Sequence, residues 1–233
     1  MTGSIAERIA TIYQQLPPQV RLIAVTKRVS VGAMREAYAA GIRDFGESQV
    51  QEAAAKVAQL QDLPDINWHF IGHLQSNKAK KILELFRWIH ACDNLKLAQR
   101  LNRLATELSF KPQVCLQVKV LPDPNKYGWT VSELLADLSE VNQCEALGIR
   151  GLMTILPLGL SESQSLAAFE QTRNLALKIG QQNWSNLQMQ ELSMGMSGDY
   201  PFAVQAGATM VRLGQIIFGE RMPSALISPV QQE

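Results

Sequence analysis

The chain has 233 residues, 46% hydrophobic and 18% charged, with 22 Lys+Arg against 21 Asp+Glu. A formal net charge of +1 gives no field for steering toward nucleic acid or an anionic membrane surface, and the apolar fraction excludes a disordered chain. No apolar run approaches the ~20 residues that a membrane helix needs.

The opening Met1-Thr2-Gly3-Ser4-Ile5-Ala6-Glu7-Arg8 enters a polar–apolar helix pattern over residues 4–16 instead of a signal peptide's apolar stretch. A buried strand is expected over 20–25, then a helix over 31–40 closed by Gly41. Residues 42–46 form a short second strand, 47–60 an Ala- and Gln-rich helix, 68–72 the third strand and 77–86 the next helix. The fourth strand spans 88–92, and Asp93 caps a helix whose Leu97, Leu101, Leu104 and Leu108 form a stripe at spacings of three and four. The fifth strand covers 114–120, and Thr130-Val131-Ser132-Glu133 is a capping box opening the following helix. Strand six (149–155), a long helix (162–181), strand seven (189–193), a helix (200–206) and strand eight (210–213) complete the series, with a short tail beyond.

Eight strands, each followed by a helix, with no composition shift or long linker, predict one (β/α)8 barrel (a TIM barrel) occupying residues 1–233 as a single domain. The alternative, a doubly wound open sheet, calls for a glycine-rich turn after the first strand. That strand instead ends Val25-Thr26-Lys27-Arg28, and no G-x-G-x-x-G occurs. Cys92, Cys115 and Cys144 are odd in number, widely spaced and set in or beside apolar runs, so three reduced, mostly buried thiols and a cytosolic location are expected. His69 and His73 are four apart, but Phe70 follows the first in a strand-like segment where the zincin motif needs Glu on a helix, so no metal site is expected.

In a barrel the chemistry sits at the C-terminal ends of the strands. Those ends carry Thr26, Lys27 and Arg28; Gly46-Glu47-Ser48; Gly72-His73; Asp93-Asn94; Met153-Thr154; Ser193-Met194-Gly195-Met196-Ser197-Gly198; and Arg212-Leu213-Gly214. Lys27 ends an apolar strand at the mouth, where a desolvated lysine can act as a neutral amine and condense with a carbonyl. The plainer reading is a solvated Lys-Arg pair marking the strand's end. The backbone N–H groups of residues 193–198 can converge on an anion with the Ser197 hydroxyl, and Gly214 lets a second backbone approach, where barrels recurrently hold phosphate. The plainer reading here is a packed turn with core methionines. Together, a strand-one lysine and a phosphate cradle opposite point to a phosphorylated aldehyde held as a Schiff base, a description that pyridoxal 5′-phosphate (PLP) fits.

Val25-Thr26-Lys27, Phe45-Gly46-Glu47-Ser48-Gln49-Val50-Gln51-Glu52 and Trp68-His69-Phe70-Ile71-Gly72-His73-Leu74-Gln75-Ser76-Asn77-Lys78 resemble the YggS/PROSC family of pyridoxal-phosphate homeostasis proteins. So do Gly151-Leu152-Met153-Thr154-Ile155, Leu192-Ser193-Met194-Gly195-Met196-Ser197 and Val211-Arg212-Leu213-Gly214-Gln215-Ile216-Ile217-Phe218-Gly219, and the likeness, of a bacterial and cyanobacterial type, covers nearly the whole chain. The resemblance implies a monomeric barrel like the N-terminal domain of alanine racemases, with the cofactor as an aldimine on Lys27. It further implies phosphate contacts from Ser197 and the Gly214-Gln215 backbone, Arg212 directed at the pyridine nitrogen, and Met153 and Met196 lining the pocket. Ser48 stands where the family usually has Asn, which removes an amide from that position.

Two functions follow from different classes: a non-catalytic PLP holder acting in homeostasis, and a low-activity racemase of the alanine type. Racemases of that fold need a tyrosine acid/base and an additional β-domain, for which this chain has no residues left; Tyr127, after strand five, is the tyrosine placed to approach the site. A guanidinium facing the pyridine nitrogen disfavours its protonation and weakens the ring as an electron sink, which speaks against transaminase-type chemistry. PLP and free amino acids are the expected partners, with no nucleic acid and no membrane.

Overall fold

The computed structural model describes residues 3–219; the first two residues of the opening stretch and the tail over 220–233 lie outside the described residues. In chain order the elements are α1 (Ile5–Gln15), β1 (Arg21–Val25), α2 (Val31–Ala39), β2 (Asp44–Glu47), α3 (Val50–Gln59), β3 (Asn67–Phe70), a 3-10 turn (Ser76–Lys78) leading into α4 (Ala79–Leu85), β4 (Trp88–Cys92) and α5 (Leu95–Glu107). They continue with β5 (Gln113–Lys119), the two-residue β6 (Trp129–Thr130), α6 (Val131–Asn142), β7 (Gly148–Met153), α7 (Glu162–Gly180), β8 (Leu187–Ser193), α8 (Tyr200–Gln205), β9 (Met210–Leu213) and α9 (Gln215–Phe218). Eight strands pair in parallel in the order β4-β3-β2-β1-β9-β8-β7-β5, and β4 pairs with β5 to close the ring, while β6 is a side strand on β5. The expected (β/α)8 barrel is the fold.

Alternation along each strand divides the core in two. Outward residues such as Leu22, Ala24, Phe45, Phe70, Ile89, Leu116, Leu152 and Val211 join the helices in one large apolar cluster. Ile23, Trp88, Cys115, Met153 and Met210, from β1, β4, β5, β7 and β9, form a separate cluster inside the ring. The helices bury the faces that the spacing predicts: Leu97, Leu101 and Leu104 of α5 are buried, and Leu108 packs partly buried against the same core. Capping boxes open α1 (Ser4 with Glu7), α6 (Thr130 with Glu133) and α7 (Ser161 with Gln164).

Two local expectations need correction. The cap of α5 is Asn94, whose Oδ1 accepts from the Leu97 amide at 2.9 Å; Asp93 is drawn away, its Oδ2 3.1 Å from His73 Nδ1 and its Oδ1 accepting from Asn94 Nδ2 at 2.7 Å. The chain after β9 turns at once into α9 before the described residues end. The three cysteines are free and buried, and burial pushes their thiols up, Cys115 to about 12. Among the described residues no group of three His, Cys, Asp or Glu could hold a metal ion, and no helix is long and apolar enough to cross a membrane.

Gly151 of β7 stands directly against the backbone of β8. A Cβ there would land on the Glu191 carbonyl of β8, a backbone atom that cannot swing aside. Gly151→Ala is therefore expected to cost about 2–3 kcal/mol, a fall in Tm of roughly 4–12 °C by calorimetry; an unchanged Tm would contradict this reading of the β7–β8 contact.

Candidate cofactor site

A cavity of about 580 Å³ opens among the residues that follow the C-terminal ends of the barrel strands. Lys27, Met196, Ser197, Arg212, Gly214 and Gln215, six of the residues singled out from sequence, line it together with Val25, Ile71, Ile155 and Gly198. Met153 does not stand at this wall: it is fully buried in the inner cluster beneath, and Ile155, two residues on, takes the place expected of it. The strand's alternation points both inward, and depth along the barrel separates them.

Lys27 is carried on a turn held from behind by α3. Lys56 Nζ donates to the Thr26 carbonyl at 2.6 Å, to Glu47 Oε1 at 2.7 Å and to Glu52 Oε1 at 2.6 Å. Thr26 Oγ1 donates to the same Glu47 oxygen at 2.7 Å, and the Arg28 amide donates to Glu52 Oε1 at 2.5 Å. Arg28 has φ of 60°, a left-handed conformation costing an L-residue roughly 1–2 kcal/mol, which the Glu52 contact offsets. Both neighbours of Lys27 are thus tied down. Glu47 is fully buried, and burial raises its carboxyl while Lys56 and Thr26 oppose the rise; its Oε2 has no hydrogen-bond partner.

Arg212 forms a buried cationic wall. Its Nη1 donates to Ser193 Oγ at 2.8 Å and its Nη2 to the Thr154 carbonyl at 2.9 Å. Burial lowers it to about 10, against the opposing pull of Asp199, so it stays cationic at neutral pH.

The 193–198 loop is shaped by two features. Gly195 has φ of +94°, and a Cβ there would press on Ala203 and Tyr200. Asp199 Oδ1 accepts from the Met196 amide at 2.6 Å, while the Met196 carbonyl accepts from the amides of Asp199 at 3.1 Å and Tyr200 at 2.8 Å. Burial raises the Asp199 carboxyl, with the Met196 amide and Arg212 opposing. Ser197 Oγ accepts from the Ile216 amide at 3.4 Å, joining this loop to the first turn of α9. Sequence reading missed Asp199; an Asp just ahead of a Pro-bearing helix start is the signal that locates it.

A second hollow of about 530 Å³ shares Lys27 and Ile71 with the first and includes Ser48 and His73 in its wall. Tyr127 is outside both cavities, its ring stacked on His73 at 3.5 Å between centroids. Tyr200 donates to Gln15 Oε1 at 2.7 Å and Tyr38 to Asp65 Oδ1 at 2.5 Å, and neither these nor the half-exposed Tyr13 line either of these two cavities.

The alanine racemase N-terminal domain family matches residues 2–222. The pyridoxal phosphate homeostasis protein of Synechocystis sp. is 56% identical over 211 residues, spanning 91% of this chain and 96% of its own. The solved structure of PipY from Synechococcus elongatus PCC7942 with PLP bound is similar at a TM-score of 0.89 and 52% identity, over 93% of this chain and 100% of that one. An alanine racemase from Clostridium difficile 630 shares the fold at a TM-score of 0.72 and 16% identity, over 95% of this chain and 57% of its own. The chain therefore belongs to the alanine racemase N-terminal domain family and, within it, to the pyridoxal phosphate homeostasis proteins.

Proposed function

We propose that the protein binds pyridoxal 5′-phosphate through Lys27 and serves its homeostasis by holding and delivering it, without substantial turnover. One observation carries the reading: an amine, a buried cation and the Ser197 hydroxyl line a single cavity of about 580 Å³, within the size range of small-molecule sites. The donor set fits the cofactor group by group. When bound, PLP supplies an aldehyde that condenses with an amine and releases water. Lys27 Nζ is the amine, held at the mouth by the anchored turn. Ser197 and the Gly214-Gln215 backbone, where the first amides of α9 have no intrahelical acceptor, receive the phosphate. Arg212 faces the pyridine nitrogen and disfavours its protonation; Met196 packs beside the ring. The name of the Synechocystis relative and the PLP-bound PipY structure support the same cofactor.

The competing reading is a weak racemase of the alanine type. That chemistry needs a second acid/base opposite the lysine, and no tyrosine of this chain lines the cavity. Holding therefore fits the wall residues better than turnover.

Lys27→Ala is expected to abolish the visible absorption of the PLP-loaded protein while leaving Tm near wild type. Borohydride reduction of wild type followed by peptide mass analysis is expected to map the adduct to Lys27; an adduct on another lysine refutes the assignment.

Ser197→Ala removes a hydrogen bond to a charged group, worth roughly 1.5–3 kcal/mol, so PLP is expected to bind about ten- to a hundredfold more weakly. Pyridoxal, lacking the phosphate, should bind wild type poorly and be nearly indifferent to the change. Equal losses for both ligands would assign Ser197 to folding instead.

Free amino acids are expected to shift the spectrum by displacing Lys27, with no measurable racemisation, transamination or decarboxylation in a chiral assay with excess cofactor. Robust turnover that disappears in Lys27→Ala would establish the racemase-like reading.

A further inference from the structure

Behind Arg212 runs a line of buried polar side chains that the reading above leaves unused. Ser193 Oγ, which accepts from Arg212 Nη1, is 2.7 Å from His90 Nδ1. His90 Nε2 is 2.9 Å from His69 Nδ1, and His69 Nε2 is 2.9 Å from Asp44 Oδ1. The five residues come from β9, β8, β4, β3 and β2. His90 and Arg212 stand two residues beyond Trp88 and Met210 of the inner cluster, so the line crosses the inside of the ring. His69, His90 and Ser193 are wholly buried; only the Asp44 end is partly open.

The direction of every hydrogen bond follows from the Asp44 end. A carboxylate only accepts, so His69 Nε2 carries a proton and, in the neutral ring, Nδ1 accepts. His90 Nε2 must then donate, and its Nδ1 accepts. The Ser193 hydroxyl therefore gives its proton to His90 and turns its lone pairs to Arg212. Both rings are neutral at neutral pH, because burial lowers each below the ordinary histidine value; Asp44 opposes this at His69, while His69 and Arg212 add to it at His90. A line ending in a guanidinium, which does not release its proton, is no proton conduit. Its capacity is to orient and to polarise, since hydrogen bonds in series strengthen one another in a low dielectric.

We propose that Asp44, His69, His90 and Ser193 are positioning residues for Arg212, fixing its guanidinium against the cavity so that it presents a set face to the bound cofactor's ring nitrogen. This rests on the PLP reading for its purpose, but not for its geometry. A barrel interior is ordinarily filled by branched aliphatic layers, and four polar side chains replacing them need one another, and Arg212, to be satisfied.

The test has two arms. In cofactor-free protein, 15N-histidine NMR at neutral pH is expected to show His69 and His90 as neutral Nε2–H tautomers. With three histidines in the chain, substitution of His73 leaves the signals of the two buried rings alone. An Nδ1–H tautomer or an imidazolium at either buried site overturns the proposal whatever binds at Lys27. In PLP-loaded protein, Ser193→Ala is expected to shift the absorption maximum by several nanometres and weaken PLP severalfold, while borohydride still fixes the cofactor to Lys27. Ser193→Thr, which keeps the hydroxyl, should restore both. From the far end, Asp44→Asn keeps an acceptor oxygen and is expected to preserve the tautomers, whereas Asp44→Leu is expected to lose them and reproduce the Ser193→Ala spectrum. If Ser193→Ala folds and leaves spectrum and affinity at wild-type values, the line is core structure alone and the proposal is wrong. Absence of any Lys27 adduct in wild type would instead refute the PLP reading and leave the NMR result standing.

Discussion

A guanidinium 4% exposed inside a β-barrel has to be compensated on every side, because removing an ion from water costs several kcal/mol even after relaxation. Much of the mouth follows from that one requirement. The end of β7 gives up a backbone carbonyl to Arg212, β8 ends in a serine at the position that meets it, and the Asp199 carboxylate that shapes the neighbouring loop also opposes the fall in Arg212's proton affinity. The loop and the α9 turn that flank the cavity are thereby built around a positive centre, which suits them to a ligand with an anionic group and a basic ring nitrogen.

The periodic part of this architecture was legible in the sequence, because apolar spacing is a local property. Residues 88–92 and 210–213 are strands with the bounds the apolar runs give, and the Thr130 capping box appears as its spacing requires. Where neighbouring residue types are equivalent, local reasoning loses its grip. Asp93 and Asn94 are both good caps, and the choice between them is settled by His73, 20 residues away. Met153 and Ile155 face the same way, and only three-dimensional depth tells which reaches the cavity. The Lys56–Glu47–Glu52 anchor and the histidine line escaped for the same reason: each joins elements that nothing in the local pattern connects.

Lys27, Arg212 and Ser197 are supplied by strand ends and turns that are braced from the helix layer or from the barrel interior. Acid/base chemistry would need a further titrating group facing the lysine across the ligand. Among the tyrosines, Tyr200 donates to Gln15 and Tyr38 to Asp65, while Tyr127 stacks on His73.

The anchor beneath Lys27 bears on a hazard particular to proteins that handle reactive carbonyls, namely self-modification. Lys56 is the lysine next to the Lys27 turn, and its ammonium donates to three oxygens, two of them carboxylate, while only 6% of the residue meets solvent. A nitrogen so occupied has no lone pair to offer. The thiols are quenched as well: Cys115 lies in the inner cluster with its ionisation pushed to about 12, and Cys92 is displaced in the same sense. The fold thus withdraws Lys56 and these two thiols from the reach of an electrophile in the cavity.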